Sequence, residues 1–143
     1  MTNIFKKLQT GSSLIEVLIA AGVVGVVLTA MALGLTFSVK TSSEAKYRSI
    51  AAKQAEEGME LFNKERVIQG WTDFHTLAGT YCLTGANDIV SGACTAAQRI
   101  TLSKMDFTRQ AQVDNTDPDK VVITLTVTWE NHHVTVTKEF RDW

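Results

Sequence analysis

One acidic side chain, Glu16, stands at the start of a long uncharged run. The run extends from Val17 to Val39, and its 23 residues include no Asp, Glu, Lys or Arg. An apolar segment of 18 or more residues is long enough to cross the roughly 30 Å hydrocarbon layer of a bilayer as a helix. A carboxylate in lipid costs on the order of 2.5–3.5 kcal/mol, and ionisable groups there are rare and usually functional. Glu16 is therefore the first candidate functional residue, with ion pairing as its expected chemistry.

A basic segment and a glycine precede this carboxylate. Lys6 and Lys7 stand before Gly11, the next residue is Ser12, and Glu16 follows four residues after the serine. This arrangement resembles the processing site of type IV prepilins and pseudopilins, whose basic leader ends in glycine and whose fifth mature residue is glutamate. The hydrophobic helix of that family also begins at this place in the chain.

The resemblance implies a role for each residue of the motif. Residues 1–11 would be the leader, and a prepilin peptidase would cut between Gly11 and Ser12 and methylate the new amine of Ser12. In a filament, Glu16 would pair with the ammonium group of a mature N-terminus, its own or a neighbour's. One position departs from the family pattern, because the mature chain usually begins with phenylalanine. The serine found here resembles minor pilins and minor pseudopilins more than a main subunit.

Two other kinds of N-terminal segment share this basic and apolar composition. A secretory signal has an apolar region of only about 7–15 residues, with its cleavage site behind it, whereas here the run is longer and Gly11 lies in front of it. An uncleaved membrane anchor fits the hydropathy, and composition alone does not exclude it. The lysines before the run predict a cytoplasmic leader and export of the residues after about 40.

Residues 40–66 continue the apolar run as an amphipathic helix. The segment contains no proline, and good helix formers dominate it. Apolar side chains recur at steps of three and four residues and form one stripe. The stripe consists of Tyr47, Ile50, Ala51, Ala55, Met59 and Phe62. Residues 12–39 are thus predicted to be the membrane-spanning or filament-core half of one helix, and residues 40–66 the half that packs on a domain.

Three glycines, Gly22, Gly25 and Gly34, interrupt the apolar run. Glycine weakens a helix by up to about 1 kcal/mol relative to alanine. The resemblance implies that such a helix loosens when it packs into a filament. Close approach of neighbouring helices, which small residues permit in membranes, is an equal interpretation, and both remain open.

Residues 67–98 are predicted to be a loop-rich connection between helix and sheet, because glycine, asparagine and aspartate punctuate the segment. Cys82 and Cys94 lie in this αβ-loop, and export permits them to pair. A disulfide that closes about 13 residues would stabilise the domain by roughly 3 kcal/mol on the chain-entropy model. Two cysteines without a nearby histidine form an incomplete zinc set, so a disulfide is the preferred prediction.

Residues 99–143 carry the alternating pattern of β-strands. The alternation changes phase near Ser103, which predicts a bulge or a twist there. A long strand over 121–130 follows, and a second strand ends near Phe140. A two-residue turn at Asn131–His132 would join these two strands, so that Trp129 faces Val134 on the buried side.

The elements together predict an α+β fold, a long N-terminal helix packed across a small antiparallel β-sheet of three or four strands. A closing hairpin that ends in tryptophan, here Trp143, is similar to that of many small prepilin-like proteins. At 143 residues the chain has the length of one small membrane-anchored domain.

Composition excludes several function classes. Lys6 and Lys7 belong to the leader, so the mature chain would keep 12 of 14 basic residues against 15 acidic ones. This mildly negative balance does not favour nucleic-acid binding. The histidines, His75, His132 and His133, are not accompanied by a nucleophile with a base and an orienting group. No enzymatic activity and no cofactor are therefore expected.

Three aspartates, Asp114, Asp117 and Asp119, form the one candidate metal site. Clustered carboxylates can hold calcium, and the resemblance adds that some pseudopilins bind calcium near the C-terminus. The spacing does not match an EF-hand, and the only proline of the chain lies in the same segment. A plain turn is the alternative reading of residues 114–119.

The function implied by the resemblance is that of a type IV pilin-like structural subunit. Its partners would be other pilin subunits, the prepilin peptidase, the assembly machinery and, before assembly, membrane lipid. It would cross the cytoplasmic membrane once with an exported C-terminal domain and then join an extracellular filament. One alternative is a pseudopilin of a type II secretion or DNA-uptake system. Another is a single-pass anchored binding domain that never polymerises, which predicts an uncut N-terminus and indifference to Glu16.

Overall fold

One long helix and a β-sheet make up the protein. The computed structural model describes residues 10–142, with side chains from residue 14 onward. Lys6, Lys7 and Trp143, to which the sequence assigned roles, lie outside the described residues. The chain divides after Glu44 into two compact units. Helix α1 (Thr10–Phe74) supplies the first unit and the beginning of the second.

The first unit has no core of its own. Every described side chain from Leu14 to Glu44 is exposed, including Phe37 at 73%. Among the described residues, α1 is the one helix long and apolar enough to cross a membrane. A helix that is hydrophobic all round is stable when it is surrounded by apolar material. The other described residues do not cover this part of α1 with apolar material.

In the second unit, α1 turns its apolar stripe towards the sheet, which confirms the predicted stripe. Four of its members are buried and two are half-buried. Gly58 lies on the same face and permits close approach, because a Cβ there would stand 2.5 Å from Leu125 Cδ2 and 3.1 Å from Leu83 Cδ2. The helix and the sheet thus meet at a glycine with no room for a side chain.

Helix α1 ends at Phe74, so the predicted end at residue 66 is wrong. Its regular geometry breaks at Gly70 (φ 77°, ψ 170°), a conformation that glycine adopts readily. Phe74 is fully buried, and its ring centroid lies 5.3 Å from that of Phe140. Aromatic packing against the last strand therefore stabilises the final helical turn, which follows Gly70 in a segment that was predicted to be a loop.

Six antiparallel strands form the sheet. They are β1 (Gly79–Leu83), β2 (Ile89–Ser91), β3 (Ile100–Leu102), β4 (Met105–Asp114), β5 (Lys120–Trp129) and β6 (His132–Arg141). The order across the sheet is β2-β1-β4-β5-β6, and β3 pairs with β4. A short 3-10 helix, Ala96–Gln98, follows β2. The predicted α+β architecture, a long helix on a small antiparallel sheet, is confirmed.

Two of these strands lie where a loop was predicted. Strands β1 and β2 fall within residues 67–98, and the sheet consequently has more strands than the three or four expected. Strand β1 has five residues, and it pairs with β4, which follows more than 20 residues later. A strand this short carries too few alternations to be recognised locally. Its stability comes from a partner that is distant in the chain.

Ser103 and Lys104 form a turn, so the bulge or twist predicted near Ser103 is wrong. Both residues have left-handed φ angles, 52° and 67°, and they join β3 to β4 with Leu102 opposite Met105. The phase change in the sequence reflects a reversal of chain direction. A bulge and a tight turn produce the same local break in alternation, and only the pairing of the flanking strands separates them.

The closing hairpin has a register two residues away from the predicted one. Trp129 pairs with His132 and does not face Val134, so the two-residue turn is Glu130–Asn131 and not Asn131–His132. The Trp129 and His132 rings stack at a centroid distance of 5.6 Å and an interplanar angle of 16°, a contact that favours the tighter pairing. A shift of two residues leaves each side chain on its face of the sheet. The buried face of β5 is therefore the predicted one.

Candidate functional site

Glu16 lies on α1 in an apolar neighbourhood. Its carboxylate makes no hydrogen bond or ion pair with another described residue. The adjacent side chains, Leu14, Ile15 and Val17, are apolar and 61–68% exposed. A carboxylate in such a place is stable in a nonpolar environment only when a cation accompanies it. The described part of the chain does not provide that cation.

The predicted cleavage bond, between Gly11 and Ser12, lies in α1, close to the first described residue, Thr10. The side chains of residues 10–13 lie outside the described residues. Cleavage and methylation at Ser12 stay predictions.

Threonine hydroxyls along the first unit are satisfied inside α1. Thr29, Thr36 and Thr41 each donate to the carbonyl oxygen four residues earlier, at 2.8–3.0 Å. This back-bonding removes the cost of placing a hydroxyl in an apolar medium. The uncharged run therefore presents no unsatisfied threonine to its surroundings.

Two of the three glycines open a shallow groove on α1. The groove has a volume of about 590 Å³, and Gly22, Gly25 and Ala30 form its floor together with larger neighbours. The backbone is helical at Gly22, Gly25 and Gly34. Small residues on one helix face allow a second helix to approach closely. Loosening of the helix in a filament is the other interpretation.

Cys82 and Cys94 form a disulfide, as predicted, with their Cα atoms 4.9 Å apart. Leu83 packs near Gly58 and so faces α1. Because successive residues of a strand point to opposite faces, Cys82 lies on the outer face of the sheet, where it is nevertheless buried. The disulfide therefore links the segment after β2 to β1 on that outer face.

The three aspartates of the candidate calcium site make local contacts at the turn between β4 and β5. Asp114 Oδ1 accepts hydrogen bonds from the backbone N–H and the hydroxyl of Thr116, and these bonds lower the pKa of Asp114. Asp117 accepts from the N–H of Asp119 at 3.0 Å and lies 3.6 Å from the Lys120 ammonium. No group of three potential metal ligands occurs within the described part of the chain. The arrangement is that of a turn.

The histidines occupy separate environments. His75 Nε2 lies 3.1 Å from the carbonyl oxygen of Asp117, His132 stacks on Trp129, and His133 lines a groove beside α1.

Arg109 is a buried guanidinium that was not anticipated from the sequence. It is 1% exposed, and Nη2 donates to the Thr84 carbonyl and, at 3.4 Å, to Asn87 Oδ1. Nε and Nη1 have no partner among the described residues. Burial lowers the pKa of Arg109, and the nearby Glu57 opposes that shift. A signal existed, because Arg109 is in phase with the buried Phe107 in the alternation of β4.

Comparison with family models, with curated proteins and with solved structures finds no match to this chain.

Proposed function

We propose that this chain is a type IV pilin-like structural subunit that a prepilin peptidase processes and that assembles into a cell-surface filament through its N-terminal helix. One observation carries the proposal. The first unit exposes an uncharged apolar helix over residues 17–39, and at its start stands Glu16, a carboxylate that no other described residue pairs with. The amphipathic continuation of that helix on a disulfide-bonded sheet supports it.

Processing would create the missing cation. Cleavage between Gly11 and Ser12 gives Ser12 a free ammonium group four residues before Glu16. Residues four apart are neighbours on a helix surface, so Glu16 can reach the ammonium of its own chain, and in a bundle that of an adjacent chain. The pair would be buried once apolar helices surround it.

The subunit would have two successive surroundings. Before assembly, the apolar part of α1 lies in the membrane and the second unit lies on the exported side. A filament machine then extracts the subunit, and neighbouring helices replace lipid around residues 17–39. Lipid and neighbouring helices are both apolar, so burial of residues 17–39 does not by itself select a partner. The ion pair of Glu16 would make that selection.

The first test is the intact mass and N-terminal peptide of the protein from membranes of a host with an active prepilin peptidase. The expected chain starts at Ser12, with or without one methyl group. A chain that still starts at Met1 would contradict the proposal and favour the non-polymerising anchored domain.

The second test removes the carboxylate. Breaking a buried charge pair costs about 3–5 kcal/mol, so Glu16→Ala is expected to abolish incorporation into filaments while membrane insertion is unchanged. The matched control is Glu56→Ala, which removes an exposed carboxylate from α1 in the second unit. Normal filament incorporation of Glu16→Ala would overturn the proposal.

A pseudopilin of a secretion or DNA-uptake system shares this chemistry. It would give the same results in both tests, because only the assembling machine differs. Co-purification of the assembled filament with its machine separates the two.

A further inference from the structure

The second unit carries a groove whose lining contains no acidic residue. The groove lies between α1 and the edge strand β6 and has a volume of about 640 Å³. The lining residues are Ala45, Arg48, Ser49, Ala52, His133, Val134 and Thr135. Four of these seven described residues offer N–H or O–H donors, and the other three are apolar. This groove, called the Arg48 groove, suits a ligand with an anionic end and an apolar end.

A second groove on the same edge has different chemistry. It lies between later turns of α1 and the end of β6, with a volume of about 840 Å³, and its lining includes Glu60, Glu139 and Asp142. Its basic residues are already engaged, since Lys138 donates to an asparagine at 3.0 Å, Arg66 donates to a backbone carbonyl and Arg141 donates to Glu139. An anion would meet carboxylates there. Of these two grooves, only the Arg48 groove has a basic residue and no acidic one in its lining.

The position of the Arg48 groove along the chain identifies the kind of anion. Arg48 follows Val39, the last residue of the uncharged run, by nine residues of the sequence. Lys40 and Lys46 lie within this interval together with one acidic residue, Glu44. Basic residues at a membrane surface that contains anionic lipid are attracted to it by about 1 kcal/mol each.

We propose that the Arg48 groove binds the headgroup of an anionic phospholipid in the leaflet that the second unit faces. The Arg48 guanidinium would bind two phosphate oxygens, the geometry in which arginine recognises phosphate. Ser49, His133 and Thr135 would donate to the remaining oxygens of the headgroup. The proposal rests on the membrane-anchored state of the proposed function and adds a contact that must be released before assembly.

Native mass spectrometry of the full chain, ejected from a neutral detergent, tests the proposal. Phosphatidylglycerol is the anionic probe and phosphatidylcholine the zwitterionic control at equal concentration. Wild-type protein is expected to retain one phosphatidylglycerol in preference to phosphatidylcholine. Arg48→Gln should lower that retention about fivefold, which corresponds to about 1 kcal/mol. Equal retention of the two lipids by the wild type would overturn the proposal.

The matched control is Lys64→Gln. It removes one positive charge from an exposed position of the same helix, outside both grooves. A loss as large as that of Arg48→Gln would show that only net charge matters, and would overturn the proposal. His133→Gln, alone and combined with Arg48→Gln, adds a double-mutant cycle. Non-additive losses are expected because both residues would bind one headgroup, and strictly additive losses would count against a shared site.

Inorganic phosphate separates a lipid site from a site for the free ion. At the same phosphorus concentration as the lipid, phosphate is expected to leave the bound phosphatidylglycerol in place, and displacement would contradict a lipid site. The assay contains no filament machinery, so its failure would leave the proposed assembly role standing. Conversely, filament incorporation of Glu16→Ala would not change the result for the groove.

Discussion

The two parts of α1 share one secondary structure and differ in what surrounds them. Over residues 14–44 every side chain is exposed, whereas in the second unit Ala51, Ala55 and Phe62 are completely buried. Both parts have helical backbone geometry, and both contain apolar residues. The difference is that the second part meets a β-sheet of its own chain, and the first part meets nothing within the described residues.

This contrast shows that apolar residues on a helix have two distinct uses. A one-sided stripe binds an internal partner and stabilises a fold. A helix that is apolar on all sides has to be covered by its surroundings, either lipid or other helices. Mutations should therefore affect folding in one part and association in the other.

The largest expected difference between the two parts comes from removing a phenylalanine. Phe62 is fully buried against the sheet, and Phe62→Ala should lower the free energy of unfolding by about 3–5 kcal/mol. Phe37 is 73% exposed, and Phe37→Ala should change the free energy of unfolding by less than about 0.5 kcal/mol. Denaturant titration of the full chain in detergent, followed by tryptophan fluorescence, measures both. Similar losses for the two variants would mean that the parts are not independent.

Removal of the disulfide should act on the second unit alone. The double variant Cys82→Ser, Cys94→Ser is expected to lose roughly 3 kcal/mol of unfolding free energy, because the unfolded chain is no longer restricted. Membrane insertion should not change, since the first unit contains no cysteine. The same titration with the wild type under reducing conditions serves as the control. A variant that no longer inserts would contradict the division into separate units.

Substitution of glycine by alanine at two positions gives the smallest expected effect and the most discriminating comparison between the two parts. Gly58→Ala would place a methyl group 2.5 Å from Leu125 Cδ2, and because Leu125 is fully buried the expected loss is about 1–3 kcal/mol. Gly25 has nothing within 4 Å of the added atom, so Gly25→Ala should leave the unfolding free energy of the second unit unchanged. The two variants are compared in one denaturant series. A neutral Gly58→Ala would show that the helix can withdraw from the sheet.

Features that depend on short-range pattern could be predicted from the sequence. The apolar run, the stripe from Tyr47 to Phe62 and the buried face of β5 all follow from periods of 3.6 and 2 residues. The cysteine pair was also recognisable, because these are the only two cysteines of the chain. Glu16 was identifiable as a candidate by its type and position. Only the structure showed that no other described residue pairs with it.

Other features could not be derived from local pattern. The register of the last hairpin was two residues away from the prediction, because the buried pattern is identical at both registers. Strand β1 escaped recognition because its stability comes from pairing with β4. Arg109 follows the alternation of the buried strand β4. A buried guanidinium needs hydrogen-bond partners, and these cannot be read from β4 itself. The partners, Thr84 and Asn87, lie in the loop between β1 and β2.

The sequence by itself determined where the chain is apolar on all sides, where it is apolar on one side, and where a single carboxylate interrupts that pattern. These are properties of neighbouring residues, and neighbours are fixed by covalent order. Tertiary structure alone decided which strands pair, that Gly58 meets Leu125, and that Arg48 and His133 line one groove. Such contacts join residues far apart in the chain, and they are selected by the packing of the whole second unit and not by any one segment.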